Sequence, residues 1–457
     1  MWIELITSFF PLFLFPIIIG MSLRNPDLSL GTRWLIGIIS TSIYIIIAHA
    51  AGISKNITFT IYFSALSLLF LWIVFSFKTK IFKVSFSKLD GSKIFLLFGA
   101  VTLLMEAWLS ILTNPISEWD AVSIWYQKAE AYYTWTPLQN LPIVNYPNLG
   151  SAYWSFILFF TDNKEAFGRF LFPLTYVVFI CEIYHTFKEF TKPIFLSSGL
   201  VFLMFYLYDD SFTNGYQDGF LFSIAGIGFL HLLKSFFILE KDKKDNKDAK
   251  KFIRSFFLSL FILSALGLLK NEGIVLSLII ASPSVIFLSI HKIRNYPLLL
   301  SIFFIYFIIL FLWPICLKFS AVDISNLQGN AFNLRSLQLI PDRFDRLPVI
   351  LEYLKIYLLK NSTLLLISVC ISAFSLWFKP KNFLFFMVIW GILILHTAFT
   401  IIAFMSTNQD LQWHLDTAFS RLMFQHDFIF PILLALGIFD FSKKEMLSES
   451  SPLPPNP

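Results

Sequence analysis

Charge is what this sequence has least of. Only 14% of its 457 residues are Asp, Glu, Lys or Arg, against about 25% in soluble domains. With 57% hydrophobic residues, 56 of the total being Phe, too little polar surface remains to face water, which excludes a soluble globular fold. The same numbers exclude intrinsic disorder, which needs low hydrophobicity and dense charge. Cysteine is nearly absent. Cys181, Cys316 and Cys370 lie in apolar stretches at unrelated spacings, so neither a disulfide framework nor a Cys-based metal site is indicated. No glycine-rich loop ends in Lys followed by Ser or Thr, which argues against ATP-driven transport by this chain. Polar and apolar residues do not alternate as membrane-barrel strands require, the run from Phe303 to Phe311 being one example. A net charge of +6 spread over short loops gives no reason to expect a nucleic-acid partner.

What is present is a succession of apolar stretches long enough to cross a bilayer as helices. They fall near 1–22, 34–53, 57–77, 94–112, 167–187, 193–208, 219–239, 255–269, 274–290, 297–317, 361–378, 383–404 and 427–441. The chain therefore reads as an all-α polytopic membrane protein with about 13 transmembrane helices. The first stretch carries Glu4, has no basic run before it and no small-residue cleavage site after it, and so reads as a retained span. The stretch 149–160 has a length more typical of an interfacial or re-entrant helix than of a span, and is taken as a helix along the outer interface because of loop charge. Leaving it uncrossed gathers the short basic connections 23–33, 78–93, 188–192, 240–254, 291–296 and 379–382, with the tail, on one face, which marks that face as cytoplasmic. The opposite face receives a juxtamembrane loop at 113–166, the acidic loop Asp209 to Asp218, the turn Lys270 to Gly273, and the loops 318–360 and 405–426. The basic run Lys241 to Lys251 reads as a solvated linker, and the tail 442–457 as disordered.

An ionised side chain at bilayer depth costs roughly 2.5 kcal/mol or more, so the remaining charges mark places where pairing or chemistry compensates. Glu118 and Asp120 follow the fourth span among Trp119, Trp125, Tyr126, Tyr132 and Tyr133, which read as an interfacial aromatic belt. Helical spacing would put Asp120, Ile124, Gln127 and Lys128 on one face. Asp120 suits a general base at the membrane edge and equally suits a helix N-cap. Asp209, Asp210 and Asp218 share a loop that could bind a divalent cation or polarise an acceptor hydroxyl, or could simply be solvated, with Asp218 capping the next helix. Lys270 could neutralise a phosphate or pair with Glu272. His414 and Arg421 stand two helical turns apart, beside Trp413 and Asp416, which suits phosphate recognition or plain headgroup snorkelling. His49, His231 and His396 lie within spans and read as hydrogen-bonded packing residues.

Taken in order, these islands resemble the GT-C superfamily of integral membrane glycosyltransferases. Trp119-Asp120 followed by Trp125 and Lys128-Ala129 is similar to the family's first external loop, and Tyr146-Pro147 with Leu149 to the start of its juxtamembrane helix. Gly215-Tyr216-Gln217-Asp218 is similar to the second acidic motif, although the family more often has Ala where Gln217 stands. Lys270-Asn271-Glu272-Gly273 resembles a turn of many bacterial members, and Trp413-His414-Leu415 with Arg421 and Pro431 a late motif. The likeness covers about residues 94–441, a GT-C-like catalytic module. Residues 1–93 would then be extra N-terminal helices. Those extra spans and the lack of a sizeable soluble domain set the chain apart from oligosaccharyltransferases and protein O-mannosyltransferases. The nearer likeness is to bacterial transferases of the protein mannosyltransferase-like and aminoarabinose transferase-like kind, which decorate envelope glycans.

The resemblance implies transfer of one sugar, with inversion, from a polyprenyl phosphate to an acceptor hydroxyl of a glycan, lipid or protein. The site would face the periplasm from a bacterial inner membrane. Asp120 would be the catalytic base, with Glu118 and Asp218 orienting the acceptor or helping hold a divalent metal ion, the one cofactor implied. Lys128, Tyr146, Lys270, Glu272, His414 and Arg421 would bind substrate. The rival reading is a secondary transporter or lipid flippase, against which stand the absence of a convincing internal repeat and the clustering of polar groups on one face.

Overall fold

The computed structural model describes residues 2–23, 25, 28–78, 90–162, 164–188, 193–241, 246–290, 296–320, 322, 338–378 and 383–437. Every regular element among them is helical. Among the described residues, ten helices are long and apolar enough to cross a membrane. Two bent pairs, Pro297–Leu310 with Leu312–Phe319 at 60° and Pro341–Lys360 with Ser362–Trp377 at 74°, raise the number to 12 if each is one span. The chain is thus an integral membrane protein by length and composition, with 10 to 12 candidate spans where hydropathy counts about 13. Pro193–Tyr206, one of those 13, has 14 residues, about 21 Å of helix against a hydrocarbon core of roughly 30 Å. Of the expected linker 241–251, residues 242–245 lie outside the described residues and 246–251 open the helix Asn246–Ser264, a correction to a solvated linker. The tail 442–457 and most of the loop 318–337 also lie outside the described residues.

The chain divides into two compact units. The first comprises Met1–Lys88, Thr102–Glu182 and Tyr208–Asn330, and the second Leu89–Val101, Ile183–Leu207 and Ala331–Pro457. In the first, helices Ile3–Met21 and Leu30–Ala50 cross with their backbones touching. A Cβ on Gly20 would stand 1.9 Å from the Arg33 carbonyl oxygen, and one on Gly37 2.1 Å from that of Pro16, so only glycine permits the approach. Pro16 has no N–H for the Leu12 carbonyl four residues back, and the Trp34 indole N–H donates to that carbonyl at 2.5 Å. The π-turn Phe10–Leu14 likewise leaves the Pro11 carbonyl to the Tyr153 hydroxyl, 2.6 Å away.

Tyr153 belongs to Leu149–Leu158, all ten of whose residues are buried. This corrects the expectation of a helix along the outer interface, which would leave one face to water or lipid. Its Phe156 ring packs instead among Phe15, Phe59, Tyr62 and Phe63, and the helix also packs against Leu30–Ala50, Gln127–Thr134 and Glu165–Arg169. Hydropathy cannot separate contact with lipid from contact with protein, since both are apolar.

Contacts within this unit gather at one end the segments that the charge pattern puts on one face. Trp135 donates to the Ile53 carbonyl at 2.9 Å and Lys55 to that of Tyr133 at 2.7 Å. Trp313 donates to the Val144 carbonyl at 3.0 Å and Ser320 to that of Ala50 at 3.1 Å. Two of the histidines expected to be hydrogen-bonded packing residues are so in this unit, His49 to the Thr136 carbonyl at 2.7 Å and His231 to Thr32 at 2.9 Å. Elsewhere the buried Glu182 carboxylate meets Ser29 and the Thr32 N–H, completing the N-cap of Leu30–Ala50.

The second unit builds a core from Ile350, Phe404, Met405, Leu415, Phe419, Leu422 and Met423. The described part of the loop 318–360 is helical from Pro341 onward, and its arginines have structural work. Arg343 donates to the Ser406 and Thr407 carbonyls at 3.0 and 2.6 Å, and Arg346 to that of Thr407 at 2.9 Å, covering the C-terminal end of Phe383–Ser406. His396 and His426 are hydrogen-bonded, Nδ1 to Nδ1 at 2.9 Å.

Candidate functional site

The loop after helix Gly91–Thr113 enters a π-turn at Ala121–Tyr126, continues as Gln127–Thr134, and stops where Trp135 takes a left-handed conformation at φ 60°. A π-turn fits more residues per turn than an α-helix, so the phase of the face starting at Asp120 is lost. Ile124 and Lys128 turn inward while Gln127 is exposed, which corrects the expectation that the four share a face. The aromatic belt is corrected too. Trp119 is exposed, but Trp125 and Tyr132 are buried and Tyr126 and Tyr133 are half-buried, because the loop packs down onto Leu149–Leu158.

Lys128 is fully buried, and its ammonium donates to the Tyr146 carbonyl at 2.7 Å. It lies 5.7 Å from the centre of the Trp125 ring and 6.0 Å from that of Tyr146. Burial without a carboxylate holds its pKa well below the ordinary lysine value. Burial and the Glu130 carboxylate push the Tyr126 hydroxyl up. Lys270, at 5.9 Å, is the second cation near the Trp125 ring. Its ammonium pairs with Asp218 Oδ1 at 2.7 Å, both side chains being buried. The expected Lys270–Glu272 alternative gives way to this longer-range pair. Glu272 is half-buried, with Oε2 enclosed and making no hydrogen bond.

The two acidic segments adjoin. Gly215 adopts φ +90°, and a Cβ there would meet Ile116 at 2.9 Å and Ala121, the neighbour of Asp120, at 3.3 Å. Tyr216 donates to Glu118 Oε2 at 3.4 Å. Arg169, which the sequence reading missed, clamps both loops. It donates to the Thr213 carbonyl at 2.7 Å and to the Asn114 carbonyl at 3.0 and 2.9 Å, while bridging Glu165 at 3.0 Å. A lone Arg at the start of an apolar stretch was its only signal. Asp120 itself is half-buried at the head of the π-turn. Glu118, Asp120, Lys128, Tyr146, Asp218, Lys270 and Glu272 thus all fall in the first unit.

His414 and Arg421 fall in the second. They do not belong to a loop before the last span. A candidate span runs from Leu411 to Gly437, with Asp410 capping it through the Trp413 N–H at 2.8 Å. A π-turn at Leu415–Phe419 separates the two residues, so simple two-turn alignment does not hold. The His414 ring centre lies 4.8 Å from that of Phe404, the two rings tilted by 56°.

The acidic loop does not assemble as a cation site. Asp209 caps a short turn through the Ser211 N–H at 2.9 Å, Asp210 is exposed, and Asp218 faces Lys270. Among the described residues, no three His, Cys, Asp or Glu side chains are grouped to hold a metal ion. Compared with protein-family models, curated proteins and solved structures, the chain matches none.

Proposed function

We propose that the chain is a membrane glycosyltransferase. It moves a sugar from a polyprenyl-phosphate donor to an acceptor hydroxyl of an envelope glycan, lipid or protein on the external face of a bacterial inner membrane. The observation that supports this reading is the convergence, in one unit, of the Asp218–Lys270 pair and the Lys128–Trp125–Tyr146 group at the Trp125 ring, with Ala121, the neighbour of Asp120, against Gly215. Asp120 takes the acceptor proton as the acceptor oxygen bonds to the anomeric carbon. The bond from that carbon to the phosphate oxygen breaks, and the phosphate leaves with the electron pair. Charge builds on the phosphate, and ammonium groups enclosed in a low-dielectric site stabilise it. Lys128 answers best, since an arriving anion favours its charged form. Asp218 holds Lys270 in place rather than meeting the acceptor. The donor set does not fit a metal ion, and no step runs through one. His414 and Arg421 keep a substrate role through the resemblance alone.

Transfer in membranes tests the reading. Asp120→Asn should lower the rate by about 10²–10⁴-fold, the usual worth of a general base. Full activity at normal expression in both Asp120→Asn and Asp218→Asn sinks the site. A second reading, a secondary transporter or lipid flippase, draws on the buried cluster of the second unit. There Tyr357 donates to Asp427 Oδ2 at 2.5 Å, and His426 lies 3.7 Å from Asp427 and 2.9 Å from His396. Ionisable groups in a span often line an ion path. Proton-coupled flux in proteoliposomes, lost in His396→Ala, would favour it.

A further inference from the structure

The helix Leu149–Leu158 begins inside the protein, and its first turn is short of partners. The first N–H groups of any helix need a cap, water or a ligand. Here the first helical bond runs from the Ala152 N–H to the Asn148 carbonyl at 2.8 Å, and the Asn148 side chain makes no capping bond. Leu149, Gly150 and Ser151 are all buried. Against this turn stands the Gln217 amide, 0% exposed: a Cβ on Gly150 would come 1.8 Å from its Oε1. Neither polar atom of Gln217 has a hydrogen-bond partner, nor does either of Asn145, which is 8% exposed and three residues before Asn148. The Asn148 amide is 1% exposed and faces the Tyr132 hydroxyl. Lys128 fixes the intervening turn through the Tyr146 carbonyl.

A buried amide left unpaired is costly because it has given up water for nothing, and the fold retains two beside an uncapped helix start. The chemistry of the missing partner follows from the atoms. Each carboxamide presents an unpaired N–H and an unpaired carbonyl. An oxyanion would satisfy the N–H groups and be repelled by the carbonyl oxygens. A hydroxyl both donates and accepts, so a ring bearing several hydroxyls satisfies both kinds. We propose that Asn145, Asn148 and Gln217, with the first turn of Leu149–Leu158, form the hydroxyl-recognising wall of a sugar subsite. The inference rests on the transferase reading and adds to it the residues that select the sugar.

The test uses the full chain in nanodiscs with citronellyl phosphate and its glucose, mannose, galactose and N-acetylglucosamine conjugates as probes. The wild type should prefer one conjugate. Gln217→Met and Asn148→Leu should weaken that conjugate by about tenfold or more, the worth of one good hydrogen bond, while leaving sugar-free citronellyl phosphate unchanged. Should either variant melt early, Gln217→Glu and Asn148→Asp keep the shape and remove the amide donors, with the same loss expected. Folded variants with unchanged affinity and sugar order overturn the subsite, leaving a wall wetted only by water. So does a wild type that binds citronellyl phosphate without discriminating its conjugates. A wild type that binds no probe at all sinks the transferase reading together with the subsite, which separates the two failures.

Discussion

Lys128 and Lys270 lie near the same indole but differ in what balances them, and that difference is measurable. Lys270 has Asp218 at 2.7 Å. Removing one member of a buried pair strands the other and costs about 3–5 kcal/mol. Asp218→Asn and Lys270→Met should each lower thermal stability sharply. The double variant Asp218→Leu with Lys270→Met should regain most of the stability but not sugar transfer. Recovery of both would mean that the pair only fills space. Lys128 has a carbonyl and two rings but no carboxylate, and burial lowers its pKa from the ordinary 10.5. Below the lowered value both folded and unfolded chains carry the proton, and the fold bears the full penalty. Between that value and 10.5 the unfolded chain binds more protons, so stability rises with pH, by up to about 1.4 kcal/mol per unit. Melting curves of the detergent-solubilised chain should show this alkaline gain, and Lys128→Met should flatten it. An equal slope in the variant would assign the effect elsewhere.

At the scale of elements, the apolar stretches and the polar islands between them were legible because charge is scarce and a span needs a minimum length. Three things were not. The π-turns at Ala121–Tyr126 and Leu415–Phe419 arise from packing, and each defeats an argument from i, i+3 and i, i+4 spacing, as the outward turn of Gln127 shows. The enclosure of Leu149–Leu158 could not be read from hydropathy. Nor could Arg169 be told from a headgroup anchor, since its partners Asn114 and Thr213 are distant in sequence. The enclosed helix is also a tight one. A Cβ on Gly168 would stand 1.7 Å from Cδ1 of the fully buried Trp154 ring. Gly168→Ala should therefore destabilise by about 1–3 kcal/mol through overpacking. Adding Trp154→Leu should relieve part of it, with a coupling of about 0.5–3 kcal/mol in the double-mutant cycle. Additive effects of the two changes would deny the contact.

For the whole molecule, the contacts of the first unit bear on which segments share a side of the membrane. Asn114, Thr213, Asp218 and Lys270 meet at one end through Arg169 and the buried ion pair, and Ile53 joins Trp135 there. The charge pattern places the same segments opposite the Lys-rich connections. Contact groups these segments with one another, while their sidedness opposite the Lys-rich connections is an expectation from loop charge. It requires an odd number of crossings between residue 119 and residue 245. Leu149–Leu158, with ten residues, cannot supply one, whereas Glu165–Phe187 and Asp218–Leu239 both qualify. Those two alone would return the chain to its starting side, so the expected sidedness would need Pro193–Tyr206, short as it is, as a third crossing. Single cysteines at Trp119 and Asp245, in a chain with Cys181, Cys316 and Cys370 replaced, should therefore react with an impermeant maleimide from opposite sides of intact cells. The cysteine at 119 should label without lysis, because Trp119 is exposed. Labelling of both from the same side would make Pro193–Tyr206 re-entrant, put Asp120 and the Lys-rich linker on one face, and remove the external acceptor from the proposed reaction.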